Sequence, residues 1–187
     1  MLIGMSSIHH DFGRFIRSRV KGKKVVEVVG VRSKGLFKSV VDHLGYDVLF
    51  ILTMRGYETI LRDKLSNSAL YILSEKYFDI RLHITNVRDL QRLVKQIVNE
   101  VTTEMKKFNF DAVIIYRAND LPPTILGMDQ NIVEEEFWRI LTMDFRSLDA
   151  TFMLVYEKVE YRPDILSQFA DAVVIMDHSP QVWSVFE

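Results

Sequence analysis

The residues best placed by type and spacing to do chemistry are Gly30-Val31-Arg32-Ser33-Lys34-Gly35-Leu36-Phe37. Two glycines with four residues between them follow the β-branched run Val25–Val29, the spacing of a loop that wraps phosphates. In such a loop the glycines let backbone N–H groups face the anion, a Lys neutralises the outer phosphates, and a Ser or Thr holds Mg²⁺. Here Leu36 and Phe37 stand where Lys and Ser/Thr are needed, and apolar side chains supply neither charge nor metal ligand. Lys38 and Ser39 lie two residues on, which turns them about 200° around a helix and away from the site. Lys34 lies inside the loop rather than at the helix start.

Other constellations are weaker. The chain has no cysteine, which excludes disulfides, thiolate zinc sites and cysteine nucleophiles and fits either a reducing, cytoplasmic setting or a hot habitat. His9 and His10 are adjacent and would diverge on a helix, while His43, His83 and His178 are scattered, so no metal site is expected. Glu134-Glu135-Glu136 opens a predicted helix, where the N-terminal dipole suffices to explain it. Glu157-Lys158 ends a predicted core strand and reads first as a strand-end ion pair. No serine-hydrolase elbow is present. Phe12, Phe15, Phe37, Phe137 and Phe145 read as packing residues. Only Phe12 and Phe15, beside Arg14, Arg17 and Arg19, approach the mix of rings and cations used in base stacking.

Charge is distributed unevenly. Residues 1–40 hold nine Lys/Arg against two acids, and the rest hold 15 against 23, within a formal net charge of −1. A basic N-terminal segment on an acidic body suits an anionic partner, DNA or protein. Its candidate DNA-binding residues are Arg14, Arg17, Arg19, Lys21, Lys23, Lys24, Arg32 and Lys34. With 48% hydrophobic and 26% charged residues over 187 positions, one globular domain is expected. No membrane span and no signal peptide are expected, since no apolar run approaches about 20 residues.

The elements that must position these residues alternate between strand-like runs and helical periodicity, which predicts a mainly parallel sheet covered by helices. Strands are expected at 25–29, 48–52, 80–84, 112–116 and 151–156, with a closing pair at 172–176 and 182–186. Helices are expected at 8–20, 36–44, 57–73, 87–107 and 131–148, with a short helical turn at 166–171. Thr85 or Asn86 is the expected cap of the long helix, whose stripe is Leu90, Leu93, Val94, Ile97, Val98 and Val101.

This order, together with four local matches, resembles the ATPase core of the RecA superfamily, especially its archaeal recombinase and KaiC-like branch. The matches are Val25–Gly30 as strand and first glycine, Phe110–Ile115 as the Walker B strand, Thr151–Val155 as the next core strand, and Phe169–Ile175 entering a terminal hairpin. The resemblance covers residues 20–187. It implies a three-layer α/β/α core at 21–187, with a C-terminal β-hairpin, behind a short helical extension at 1–20. It also exposes departures from an active ATPase. Leu36 and Phe37 occupy the Walker A Lys and Ser/Thr positions, Tyr116 falls where the Walker B strand should end in Asp, and Arg55 precedes Gly56 where a water-orienting acid is expected, with Glu58 nearby. The resemblance therefore implies a degenerate, non-catalytic paralogue without a cofactor. As a cytoplasmic accessory or scaffold protein it would bind a RecA-family ATPase, itself or DNA in recombination or repair. Two alternatives stay open: a nucleotide-binding switch or ATPase with an atypical phosphate loop, and a structural homo-oligomer without nucleotide.

Overall fold

The computed structural model describes residues 17–18, 21–29, 47–53, 68–156, 167–176 and 183–186. Seven strands form one sheet: β1 (Val25–Val29), β2 (Val48–Leu52), β3 (Ser68–Ile72), β4 (Ala112–Tyr116), β5 (Thr151–Tyr156), β6 (Ala172–Met176) and β7 (Trp183–Phe186). Their spatial order is β3-β2-β4-β5-β1-β6-β7. All neighbours are parallel except β6 and β7, which pair antiparallel. Three helices are described among the strands: α1 (Glu75–Leu82), α2 (Leu90–Met105) and α3 (Gln130–Arg146).

β1, β2 and β4 are buried at every position, as expected of parallel strands covered on both faces. Val25, Leu49, Ile51, Val113, Ile115, Phe152 and Leu154 share one core with the three helices. Side chains of the opposite parity, such as Val26, Phe50, Ile114 and Met153, are equally withdrawn from solvent. The elements expected at 8–16, 36–44 and 57–66 lie outside the described residues.

The helices are set by periodicity and caps. α2 buries Leu90, Leu93, Val94, Ile97 and Val101, a single stripe at helical spacing. Asn86 caps the short 3₁₀ turn Val87–Asp89 that leads into α2, while Asp89, at the start of α2 itself, makes no side-chain cap. In α3, Val133, Phe137, Trp138, Leu141 and Phe145 face inward, and Asp129 accepts the Asn131 N–H at 2.9 Å as N-cap.

Two sequence expectations are corrected. The helix expected at 57–73 cannot include residues 68–72, which form edge strand β3 in parallel register with β2. The strand expected at 80–84 is instead the end of α1 and the turn after it. Ile80-Arg81-Leu82-His83-Ile84 alternates like a strand, but Leu82 is 80% exposed, while Tyr77, Ile80 and Ile84 are buried at helical spacing. Ser74 starts this helix by accepting the Tyr77 N–H. A third adjustment concerns Glu134–Glu136. α3 begins at Gln130, so these acids fall past the first turn and the reach of its dipole. Arg139 holds Glu136 in a two-pronged pair, and that hydrogen bonding keeps the Glu136 carboxyl below its usual pKa.

The element sequence is that of a mainly parallel α/β core: an opening strand, a long helix leading into β4, a helix and strand beyond it, and a terminal antiparallel pair.

Candidate functional site

In open parallel sheets ligands bind beyond the carboxyl ends of the strands. Here that edge is built by Val29, Leu52-Thr53, Tyr116-Arg117 and Tyr156, brought level by the registers of β1, β2, β4 and β5. Thr53 and Tyr116 are buried at 4% and 7% exposure. Glu27, two residues before the end of β1, is 1% exposed and stands in register with Leu154 and Val173.

The chain turns sharply after Tyr116. Arg117 adopts a left-handed conformation at φ 55°, unusual for a residue that carries a side chain. Its Nε donates to Asp120 Oδ2 at 2.9 Å, while the Asp120 N–H returns to the Arg117 carbonyl at 2.9 Å. Asn119 Nδ2 donates to the other Asp120 oxygen at 3.1 Å. α1 fixes this loop from the side. The Tyr77 hydroxyl donates to the Leu121 carbonyl at 3.1 Å, and Arg81 donates to the Pro122 carbonyl at 3.2 Å. Burial raises the Tyr77 phenol well above its ordinary range, so it stays a neutral donor. The end of β4 thus presents a phenol and a guanidinium already paired with the nearest carboxylate. Mg²⁺ is held through carboxylate oxygens, and no acid stands at Tyr116.

The sequence candidates divide between two edges. Lys21, Lys23 and Lys24 lie before β1, at the amino edge of the sheet, whereas Tyr116 closes the carboxyl edge. A five-residue strand separates these edges by about 13–16 Å. Lys24 Nζ donates to the Leu148 carbonyl at 3.0 Å, and the backbone carbonyls of Lys23 and Lys24 accept from Thr151 Oγ1 and the Phe152 N–H. Lys24 therefore has a structural task, while Arg17 and Lys21 are exposed. Gly30, Arg32, Ser33, Lys34, Gly35, Leu36 and Phe37 of the altered phosphate loop, together with Arg14 and Arg19, lie outside the described residues.

At the amino edge an open cleft of about 600 Å³ is lined by Lys23, Lys24, Asp111, Asp149 and Thr151 among others. Its charges are of both signs. Asp171 anchors the edge beside it. One oxygen accepts the Lys24 and Val25 N–H groups at 2.8 and 3.0 Å, and the other accepts Arg146 at 2.6 Å. Burial opposes ionisation of Asp171, but the hydrogen bonds from Val25, Arg146 and Lys24 outweigh it and hold the carboxyl below its ordinary pKa. A carboxylate with a depressed folded pKa stabilises above its unfolded value, near pH 4, and loses that contribution as pH falls through the folded value. Asp171→Asn should therefore cost about 1.5–3 kcal/mol at pH 7 and shrink the stability difference from wild type on acidification. Thermal melts between pH 7 and pH 2.5 check this; a difference that stays constant across that range would contradict it.

Sequence reasoning missed two clusters. One is the Glu100 carboxylate, which gathers Tyr71, Ser74 and Gln96. The other is a basic stripe on α2. Both draw residues from separate turns or elements, and only a helical wheel of 88–100 would have hinted at them. Among the described residues no group of three or more His, Cys, Asp or Glu gathers as metal ligands, and no helix is long and apolar enough to cross a membrane.

No family model and no curated protein matches the sequence. Among solved structures, the chain is similar to one titled as an ATPase domain, at 16% identity and a TM-score of 0.49, covering 81% of this chain and 68% of that one.

Proposed function

We propose that this chain is a catalytically silent RecA-like subunit, acting as an accessory or scaffold in DNA recombination or repair by binding a RecA-family ATPase, DNA or both. The observation that carries this reading is the carboxyl end of β4. By the resemblance Tyr116 falls where phosphoryl transfer would need a metal-binding acid, and Arg117 is closed on Asp120 at 2.9 Å. Phosphoryl transfer depends on positioning, metal and charge stabilisation together. The sequence adds Leu36 and Phe37 in place of the phosphate-loop Lys and Ser/Thr, so two separate parts of the machinery are altered in the same direction.

A melt with and without 1 mM ATP and Mg²⁺, paired with a phosphate-release assay, tests the loss of nucleotide chemistry. The expected result is an unchanged melting temperature and no release. A ligand at 100 times its Kd adds about 2.7 kcal/mol, about 5–10 °C for a domain of this size. A shift of that order would replace this reading with a nucleotide-dependent switch. In the same preparation, a nuclease-treated pull-down from native lysate should recover an active RecA-family ATPase. Recovery of the bait alone would remove the accessory-subunit role.

A further inference from the structure

A shallow groove of about 530 Å³ runs between α1 and α2, on the solvent side of both helices. Arg92, Lys95 and Asn99 of α2 and Arg88 of the 3₁₀ turn before it line one wall, Lys76 of α1 lines the other, and Gln91 and Gln96 also line the groove. Positions 92, 95 and 99 recur at i, i+3 and i+7, which gathers them within an arc of about 60° on one helix face, and Arg88 joins them from the 3₁₀ turn that leads into α2. Lys76, Arg88, Arg92 and Lys95 are all exposed. Asp89, the acid among the groove's described lining residues, already accepts from Asn86 at 2.9 Å.

Two contrasts separate this stripe from an ordinary solvated surface. Residues 41–187 as a whole carry more acidic than basic residues, so four cations around one groove run against the balance of that part of the chain. Three other described arginines are ion-paired: Arg117 with Asp120, Arg139 with Glu136, Arg146 with Asp171. None of the four groove cations has an ion pair or hydrogen bond among the described residues.

We infer that this groove binds the phosphodiester backbone of a nucleic acid, as a surface separate from the basic N-terminal segment. The stripe from Arg88 to Lys95 extends about 10 Å along the helix axis, enough to meet about three phosphates of one strand at about 3.4 Å of axis each. Amide side chains interleaved with Arg and Lys are the donors that bind phosphate and sugar oxygens. The groove has no exposed apolar side chain, since Ile80, in its floor, is 6% exposed. A membrane-surface helix needs an apolar face to insert, and a protein interface centres on apolar or aromatic anchors. The inference deepens the proposed function by naming where DNA would lie, and the two readings fail separately.

The test is fluorescence anisotropy with a 30-nucleotide single strand and its duplex, in a salt series from 25 to 200 mM. The proteins are wild type, the groove variant Arg88→Glu/Arg92→Glu/Lys95→Glu, and the N-terminal variant Arg17→Glu/Lys21→Glu/Lys23→Glu. All six substitutions are of surface or half-buried side chains, and matched melts confirm folding. Wild type should bind with a steep salt dependence. The groove variant should lose affinity on the order of 100-fold and flatten the log–log salt slope by about two to three. Unchanged affinity and slope in the groove variant, with loss in the N-terminal variant, would overturn the groove while leaving DNA binding intact. Absence of binding by wild type at 25 mM salt would overturn both. Sedimentation of wild type, but not of the groove variant, with phosphatidylserine vesicles in place of DNA binding would assign the groove to a membrane surface and also overturn the inference.

Discussion

Phe145→Ala should destabilise the domain by about 3–5 kcal/mol, lowering its melting temperature by about 6–20 °C. Phe145 is fully buried in the last turn of α3, and its ring lies stacked on Phe152 of β5 with centroids 3.9 Å apart and planes 7° from parallel. Truncation removes the transfer energy of the ring and leaves a cavity that two neighbours, Phe152 and the sheet backbone, cannot close. Denaturant melts of wild type and variant measure the difference. A loss below about 1 kcal/mol would mean that α3 is not seated on β5 as described. Phe145→Leu keeps most of the volume and should recover more than half of the loss.

Glu100→Ala should cost about 3 kcal/mol, an effect set by polar rather than apolar loss. One Glu100 oxygen accepts the Tyr71 hydroxyl and the Ser74 N–H, each at 2.9 Å, and the other accepts Ser74 Oγ and Gln96 Nε2. Ser74 also caps α1, so the carboxylate fastens edge strand β3, the α1 start and α2 at a single point. Burial and this carboxylate push the Tyr71 phenol well above its ordinary pKa, so the hydroxyl is a donor at neutral pH. Removing the acceptor strands several donors at once, each costing about 1–3 kcal/mol if it stays dry. Glu100→Gln keeps the shape and one acceptor oxygen and should cost about half as much. A Glu100→Gln variant as stable as wild type would show that shape, not acceptance, is what Glu100 supplies.

The sheet interior was legible in the sequence because parallel strands buried on both faces are continuous apolar runs. Val48–Leu52 and Ala112–Tyr116 have the same bounds in the structure as in the sequence reading. The misreadings cluster at 68–84, where the period is ambiguous. Ala69-Leu70-Tyr71-Ile72 carries only partly buried apolar residues at an edge, and the alternation of Ile80 to Ile84 is accidental, as exposed Leu82 makes plain. At the site, Tyr116 could be placed from sequence because it ends an unmistakable strand. The left-handed turn at Arg117 could not, since no glycine or asparagine marks it. The α2 stripe escaped notice because its cations alternate with core residues along the chain and meet only when the helix is wound.

The position of β1 has a consequence for how the chain assembles. The first of the described strands is inserted between β5 and β6, its partners Phe152 and Ala172 lying well over a hundred residues downstream. β2, β3 and β4 can pair among themselves beforehand, but the centre of the sheet cannot close until Ala172 has left the ribosome. Pairings so distant in sequence are slow to form, and until then both edges of β1 are open to other chains. A chain stopped before residue 172 would leave one of those edges unpaired, so premature termination in the last strands should yield aggregates rather than a smaller working domain.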